Sequence, residues 1–191
     1  TAISNVDCFG ASTGSATANG SGGSGAPYTY VWTNGSTGAT NSNLAAGVHC
    51  VTVTDVNLCP VVTCVTITQP SVGVSGLITV DTTISCNNGS DGDIHVVATG
   101  GTPFTVNQAN GTGYTYVWSN GSTDTSSMNL AIGQHCVTIT DSLGCSFVSC
   151  VTLTEPTAVT ATISATQDIN CTGDSTGTAT VTGSGGTTVP A

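Results

Sequence analysis

Cysteine is the residue of this chain with the widest choice of chemistry, because clustered thiols either form disulfides or bind a metal ion. The cysteines fall as four, four and one along the sequence. In order they are Cys8, Cys50, Cys59, Cys64, then Cys86, Cys136, Cys145, Cys150, and last Cys171. Zinc is one option, since Cys59 and Cys64 have a spacing known for ligand pairs, with His49 and Cys50 nearby. Neighbouring strand residues point to opposite faces, however, so His49 and Cys50 cannot reach one ion together without a bulge, and we expect disulfides and no metal.

The histidines offer little for catalysis. His49 and His135 alternate with apolar residues that should face a core, which predicts partly buried, hydrogen-bonded rings, whereas His95 should face solvent. No nucleophile, base and orienting acid recur together, and no glycine-rich phosphate loop leads into a helix. We therefore expect a protein that is not an enzyme and needs no cofactor.

Calcium has one weak candidate site, because the stretch from Asn87 to Asp93 packs oxygen ligands into a turn. Its candidate ligands are Asn87, Asp91 and Asp93. The equivalent stretch at 9–15 carries no acid, and the one at 172–178 carries a single acid. An ion that served every repeat would need ligands in each of them, so this pattern does not predict a general calcium site.

Two copies of a strand-turn-strand pattern must position the cysteines. The first runs from His49 to Pro70 and the second from His135 to Pro156, so matched positions lie 86 residues apart. Both strands of each copy alternate β-branched apolar residues with Thr, which is typical of a half-buried β-hairpin. The repeat also indicates tandem domains.

The hairpin register predicts one disulfide in each copy. If Cys50 faces Cys64 across the hairpin, the Thr residues of the strand share the face of Cys50, while Val51 lies on the opposite, apolar face. The apolar face must be the core, so the Cys50–Cys64 disulfide should lie outside, on the Thr-rich surface. The same argument predicts Cys136–Cys150 in the second copy.

The remaining cysteines give the second predicted disulfide of each unit. Of the three pairings possible among four cysteines, the register leaves Cys8–Cys59 and Cys86–Cys145, which would tie the first strand region to the last turn. A loop of about 50 residues closed in this way stabilises a small domain by about 4 kcal/mol. Cys171 is expected to pair with a residue outside the chain.

The repeat predicts three domains. They are 1–70, then 71–156 with an insertion near 102–113, and 157–191 as the first part of a third, truncated repeat. In each complete unit aromatic residues spaced by two occupy one strand, and such a stripe is typical of a core. The predicted core aromatic residues are Tyr30, Trp32, Tyr116 and Trp118.

Composition excludes several partners. Lys and Arg are absent and ten acids give a formal charge of −10, so the chain cannot neutralise phosphates or dock on an anionic membrane surface. We expect no nucleic-acid binding. No apolar run approaches the roughly 18 residues that a membrane-spanning helix needs, so we expect no membrane insertion either.

The ordered motifs of the units resemble a known repeat. Each complete unit has Tyr-Thr-Tyr-Val-Trp followed by Asn-Gly, then Asn-Leu-Ala-x-Gly, then a hairpin strand ending in Thr-Asp, then Cys, then Val-Thr-x-Thr-x-Pro. This series is similar to the SprB-type repeat of gliding-motility adhesins and other surface proteins of the Bacteroidota. The resemblance implies an all-β fold of tandem immunoglobulin-like or PKD-like β-sandwiches, export by type IX secretion, and a cell-surface or secreted-filament location.

The resemblance also marks a departure and a modification. Members of the family usually carry Tyr-Thr where this chain has His49-Cys50, so the cross-strand disulfide is an addition. Three Asp-Ser/Thr stretches resemble the O-glycosylation signal of the same bacteria. They imply glycans on Thr82, Ser142 and Ser175 of a glycoprotein.

Two functions remain open at this point. The first is a structural segment of a surface fibre or adhesin stalk, stabilised by two disulfides per repeat. The second is an adhesive module that contacts glycans or other cells through the 102–113 insertion and the Thr-rich faces. The expected partners are neighbouring repeats of the same long chain, identical fibres laterally, and surface glycans.

Overall fold

The computed structural model describes residues 2–105, 113–173 and 175–187, and within these ranges every regular element is a β-strand. The all-β prediction is therefore confirmed. In chain order the strands are β1 Ala2–Ser4, β2 Gly14–Thr17, β3 Thr29–Trp32, β4 Thr40–Leu44, β5 Gly47–Thr54, β6 Pro60–Ile67, β7 Ser75–Thr82, β8 Gly92–Thr99, β9 Thr115–Trp118, β10 Ser126–Leu130, β11 Gly133–Thr140, β12 Ser146–Leu153, β13 Thr160–Gln167 and β14 Thr178–Ser184.

The strands form small antiparallel sheets with the same order in both copies of the sequence repeat. The first copy has the sheets β1-β2-β4 and β3-β5-β6, and the second has β7-β8-β10 and β9-β11-β12. Strands β13 and β14 pair with each other in a two-stranded sheet. Among the described residues the chain thus uses one plan of strand pairing twice.

Two compact units are present. The first comprises Thr1–Gly76, Ala98–Thr115 and Thr138–Val148, and the second comprises Leu77–Val97, Tyr116–Val137 and Ser149–Ala191. The division into domains at 70 and 156 stays a prediction from the sequence repeat. Most of the predicted insertion at 102–113 lies outside the described residues, because residues 106–112 are not among them.

Eight buried apolar positions recur between the copies. In the first copy they form one cluster that draws on both sheets, and they are Val6, Ala16, Ala18, Trp32, Leu44, Val51, Val53 and Ile67. In the second copy the matching residues are also buried, and they are Ile84, Ile94, Val96, Trp118, Leu130, Val137, Ile139 and Leu153. Of the other two predicted core aromatic residues, Tyr116 is buried, whereas Tyr30 is half-buried against the first cluster.

The hairpin of β5 and β6 has the predicted register. Cys50 faces Cys64, and the ladder runs from Gly47 opposite Ile67 to Thr54 opposite Pro60. Cys64 is exposed and Cys50 is half-buried, whereas the alternate valines of β5 are buried. The cross-strand disulfide therefore lies on the face away from the core, as the alternation of Val and Thr requires.

The disulfide pattern agrees with the prediction at two places and differs at two others. Cys50 pairs with Cys64, and Cys136 pairs with Cys150. The expected pairs Cys8–Cys59 and Cys86–Cys145 are replaced by a disulfide between Cys8 and Cys145, whose Cα atoms are 5.5 Å apart. Three cysteines carry free thiols, and they are Cys59, Cys86 and Cys171.

Strand direction explains why Cys8 cannot reach Cys59. The Cys8 loop lies beside the end of β6, where the Gly10 N–H donates to Gln69 Oε1 at 2.9 Å. Cys59 lies at the other end of the same hairpin, directly before Pro60. The eight residues of β6 separate the two cysteines by about 25 Å, far beyond the reach of a disulfide. Elimination within one repeat gave the wrong partner because it ignored this polarity.

Candidate functional site

Asp55 organises the turn between β5 and β6. Its Oδ1 accepts hydrogen bonds from the backbone N–H groups of Asn57 at 3.0 Å and Cys59 at 2.8 Å, and its Oδ2 accepts from the Ser24 N–H at 2.8 Å. These donors favour the charged carboxylate, so the Ser24 N–H first and the Cys59 N–H second hold the pKa of Asp55 below its ordinary value. One buried carboxylate thus fixes both the turn and the position of Cys59.

Asp141 builds the same turn in the second copy. Its Oδ1 accepts from the N–H groups of Leu143 at 3.0 Å and Cys145 at 2.9 Å, and its Oδ2 accepts from Thr102 N–H at 2.8 Å. The turn cysteines Cys59 and Cys145 are therefore held by matching hydrogen bonds. The repeated spacing of Asp and Cys, four residues apart in both copies, is the sequence signal that could have found this arrangement.

The loop cysteines also share one local structure. The Ala11 N–H donates to Cys8 O at 3.0 Å, and the Gly89 N–H donates to Cys86 O at 2.9 Å. The second residue after the cysteine has a positive φ in each case, including the loop of Cys171. These residues are Gly10 at 76°, Asn88 at 59° and Gly173 at 95°. Besides the four hairpin cysteines, the chain thus carries two turn cysteines, Cys59 and Cys145, and three loop cysteines, Cys8, Cys86 and Cys171.

The two turn cysteines differ in their surroundings. Cys145 is 9% exposed and bonded to Cys8, and beside this disulfide is a cavity of about 410 Å³ whose walls include Phe9, Pro70 and Val74. Cys59 is exposed and free. It borders a cavity of about 460 Å³, which we call the turn-end cavity. The walls of the turn-end cavity include residues 20–23, Tyr28, Val53, Asp55, Cys59 and Val61.

The calcium candidates are engaged separately. Asp91 accepts from the Ser85 N–H at 3.1 Å, and hydrogen bonds from Ser85 lower the pKa of Asp91. Asp93 Oδ1 accepts from the Asn129 N–H at 3.2 Å, and Asn87 Nδ2 donates to Glu155 Oε1 at 2.8 Å. Each candidate ligand therefore serves a different hydrogen bond. Within the described part of the chain, no three His, Cys, Asp or Glu side chains cluster as a metal site.

The histidines divide into two kinds. His49 Nε2 lies 2.9 Å from Ala45 O, and His135 Nε2 lies 2.9 Å from Ala131 O, so both half-buried rings have the same backbone partner. His95 Nδ1 lies 2.7 Å from the Asp81 carboxylate on the neighbouring strand. The sequence reasoning missed this pair, because it predicted only that His95 faces solvent.

The proposed glycosylation residues Thr82, Ser142 and Ser175 are all exposed. Ser142 Oγ donates to Thr102 O at 2.7 Å, so its hydroxyl already has a partner in the turn. Glycosylation at these positions stays a prediction.

Comparison with protein families identifies the repeat. Residues 1–37 match the family model of the SprB repeat. Residues 1–37 are therefore similar to an SprB repeat. The matched range contains the Cys8 loop, β2 and the aromatic strand β3. SprB repeats are a feature of cell-surface proteins of the adhesin type, which supports an extracellular location.

No curated protein matches the chain. Among the described residues there is no helix with the length and apolar character needed to span a membrane.

Proposed function

We propose that this SprB-repeat chain is a non-enzymatic structural segment of a secreted bacterial surface fibre or adhesin stalk. In this proposal the repeats are immunoglobulin-like β-sandwiches in tandem, and each contacts its neighbours in the same chain. The single observation that carries the proposal is the Cys8–Cys145 disulfide, which joins positions 137 residues apart.

This disulfide changes how the chain would carry tension. A pull on the two ends passes directly from Cys8 to Cys145, so the residues between them stay out of the load path. The cross-strand disulfides Cys50–Cys64 and Cys136–Cys150 prevent each long hairpin from opening fully. Such protection suits a part that must keep its length under load.

The surface supports the same role. The chain has no Lys or Arg and a formal charge of −10, so it offers no ion pair from these residues. In the described residues the acids that are buried, Asp55 and Asp141, organise turns. The observations therefore favour spacing and stiffness over a chemical reaction, with type IX export as the route implied by the family.

Immunogold labelling of intact cells with antibodies raised against the purified chain tests the location and the role. We expect gold particles along surface fibres without permeabilisation. Labelling that needs permeabilised cells would overturn the surface assignment. A glycan array probed with the purified chain, and with a matched chain that lacks 105–112 of the insertion but keeps Thr102, tests the role separately. Glycan binding that disappears with this deletion while the melting temperature is unchanged would replace the stalk with an adhesive module.

A further inference from the structure

The turn cysteine Cys59 has a counterpart that is already bonded. In the second copy the matching turn cysteine, Cys145, is covered by the Cys8 loop and bonded to it. The Gly101 N–H also donates to Val72 O at 3.1 Å. This bond holds the segment after β6 against the residues that follow β8 in the second copy. One repeat therefore offers its loop cysteine to the turn cysteine of the repeat that follows.

We propose that Cys59 and the turn-end cavity form a docking site for the loop cysteine of another copy of the repeat, supplied by a second copy of this chain. The bond formed there would be the equivalent of Cys8–Cys145. This inference rests on the proposed function and names the partner of the structural segment.

A second copy has loop cysteines of the type that a turn cysteine binds. Cys59 has the backbone hydrogen bonds of Cys145, and the free thiols of Cys86 and Cys171 stand in loops that share the geometry of the Cys8 loop. All three free cysteines are exposed. A second copy therefore presents the loop type that the turn cysteine accepts.

The hydrogen bond between successive repeats recurs at a second place in the chain. The Gly186 N–H donates to Thr157 O at 2.9 Å, which repeats the bond from Gly101 to Val72. The segment after each hairpin is thus held in the same way by the glycine pair of the next repeat. Cys86 precedes this second contact as Cys8 precedes the first, and its loop has the same hydrogen bond as the Cys8 loop. The Cys86 thiol, however, is free.

The walls of the turn-end cavity suit an apolar loop. They include Tyr28, Val53 and Val61, and Val61 is 61% exposed. At the matching turn, Phe9 of the loop that covers Cys145 and the neighbouring Pro70 line the cavity beside the disulfide. Covering Val61 with similar apolar atoms would stabilise the docked state before any bond forms.

The covalent step is a thiol-disulfide exchange with a disulfide oxidant such as glutathione disulfide. The Cys59 thiolate attacks one sulfur of glutathione disulfide and releases one glutathione thiolate, leaving a mixed disulfide on Cys59. The loop-cysteine thiolate of the second copy then attacks the Cys59 sulfur and releases the second glutathione. Two protein thiols are oxidised, one glutathione disulfide is reduced to two glutathione thiols, and both thiol protons pass to them.

Two complementary variants of the whole chain test the proposal. An acceptor carries Cys86→Ser and Cys171→Ser, and a donor carries Cys59→Ser. Incubated together with glutathione disulfide, they should form a disulfide-linked heterodimer as the main product, and non-reducing peptide mapping should place Cys59 opposite Cys86 or Cys171. Each variant alone should stay mainly monomeric.

Dimerisation of the acceptor alone through Cys59–Cys59, at the rate of the mixture, would overturn the proposal, as would no heterodimer at all. Non-reducing peptide maps that retain the Cys8–Cys145 disulfide verify that both variants are folded. Val61→Lys in the acceptor should slow heterodimer formation about tenfold, because docking would bury its charge. Val62→Lys is the matched control, since Val62 is equally exposed at 62% and lies outside the cavity wall. Equal slowing by both substitutions would show that the cavity does not receive the loop. These results concern connectivity alone, whereas immunogold labelling decides the surface role.

Discussion

Replacing Cys8 by Ser should lengthen the chain under force by a large, defined amount. In the oxidised wild type, tension applied at both ends bypasses the residues between Cys8 and Cys145 through their disulfide. The substitution opens this bypass and leaves the two cross-strand disulfides closed. It therefore tests whether the long-range disulfide protects the chain from extension.

The expected gain follows from the loop lengths. The Cys8–Cys145 loop spans 137 residues, and the two closed hairpin loops span 14 residues each and stay out of the load path. About 110 residue spacings are then added to the path, and at about 3.5 Å each they lengthen the fully extended chain by about 380 Å. In the chain-entropy model the lost disulfide also removes about 5 kcal/mol of stability.

Single-molecule pulling between handles fused to the two termini measures this length directly. Cys171→Ser is the matched control, because it removes a free thiol and leaves all three disulfides intact. We expect the control to extend like the wild type and the Cys8→Ser chain to extend about 380 Å further. Equal extension of the wild type and the Cys8→Ser variant, both under oxidising conditions, would refute the bypass.

Three further predictions concern the turns and the core. Asp55→Asn should destabilise the chain at about pH 6, because a carboxylate whose pKa is lowered contributes stability above its unfolded pKa. This contribution is lost as the pH falls through the folded pKa, so thermal melts at decreasing pH should show a shrinking difference between the variant and the wild type. Leu58 has a φ of 64° and is 81% exposed, so Leu58→Gly should stabilise the chain by about 1 kcal/mol in urea denaturation. Gly144→Leu, at the matching φ of 82°, should destabilise it. A loss of stability in Leu58→Gly would contradict the strain argument. Gly14→Ala would bring a Cβ within 2.8 Å of a core methyl group and of a backbone oxygen and should cost about 1–3 kcal/mol, while Gly183→Ala, whose Cβ meets no atom closer than 3.8 Å, should leave the denaturation midpoint unchanged.

The alternation of apolar and polar residues predicted the strands well, because burial of one face of a strand requires an apolar residue at every second position. Val51 and Val53 must face the core, so the alternation predicts Cys50 on the opposite face, across from Cys64, and the ladder has this register. The long-range partner of Cys8 could not be predicted in this way. It depends on which end of one repeat meets the next, and alternation within a strand carries no information about ends.

The carboxylate turns were missed for a different reason. Asp55 and Asp141 are charged residues in loops, and hydrophobic periodicity assigns such residues to solvent. Their burial depends on backbone N–H groups from Ser24 and Thr102, which lie 31 and 39 residues away in sequence. Comparing the two copies for shared polar residues, in addition to shared apolar ones, would have identified both.

The opposite placement of Cys8 and Cys59 has a consequence for the order in which the chain matures. Cys50 and Cys64 can join as soon as the first hairpin has folded, but Cys8 must wait until the turn of the second copy has folded around Cys145. During that interval Cys59 is the nearest unpaired thiol in the sequence. Once β6 has formed, its length keeps the two thiols about 25 Å apart. The folded first repeat thereby prevents a Cys8–Cys59 disulfide and leaves Cys8 free to bond to Cys145.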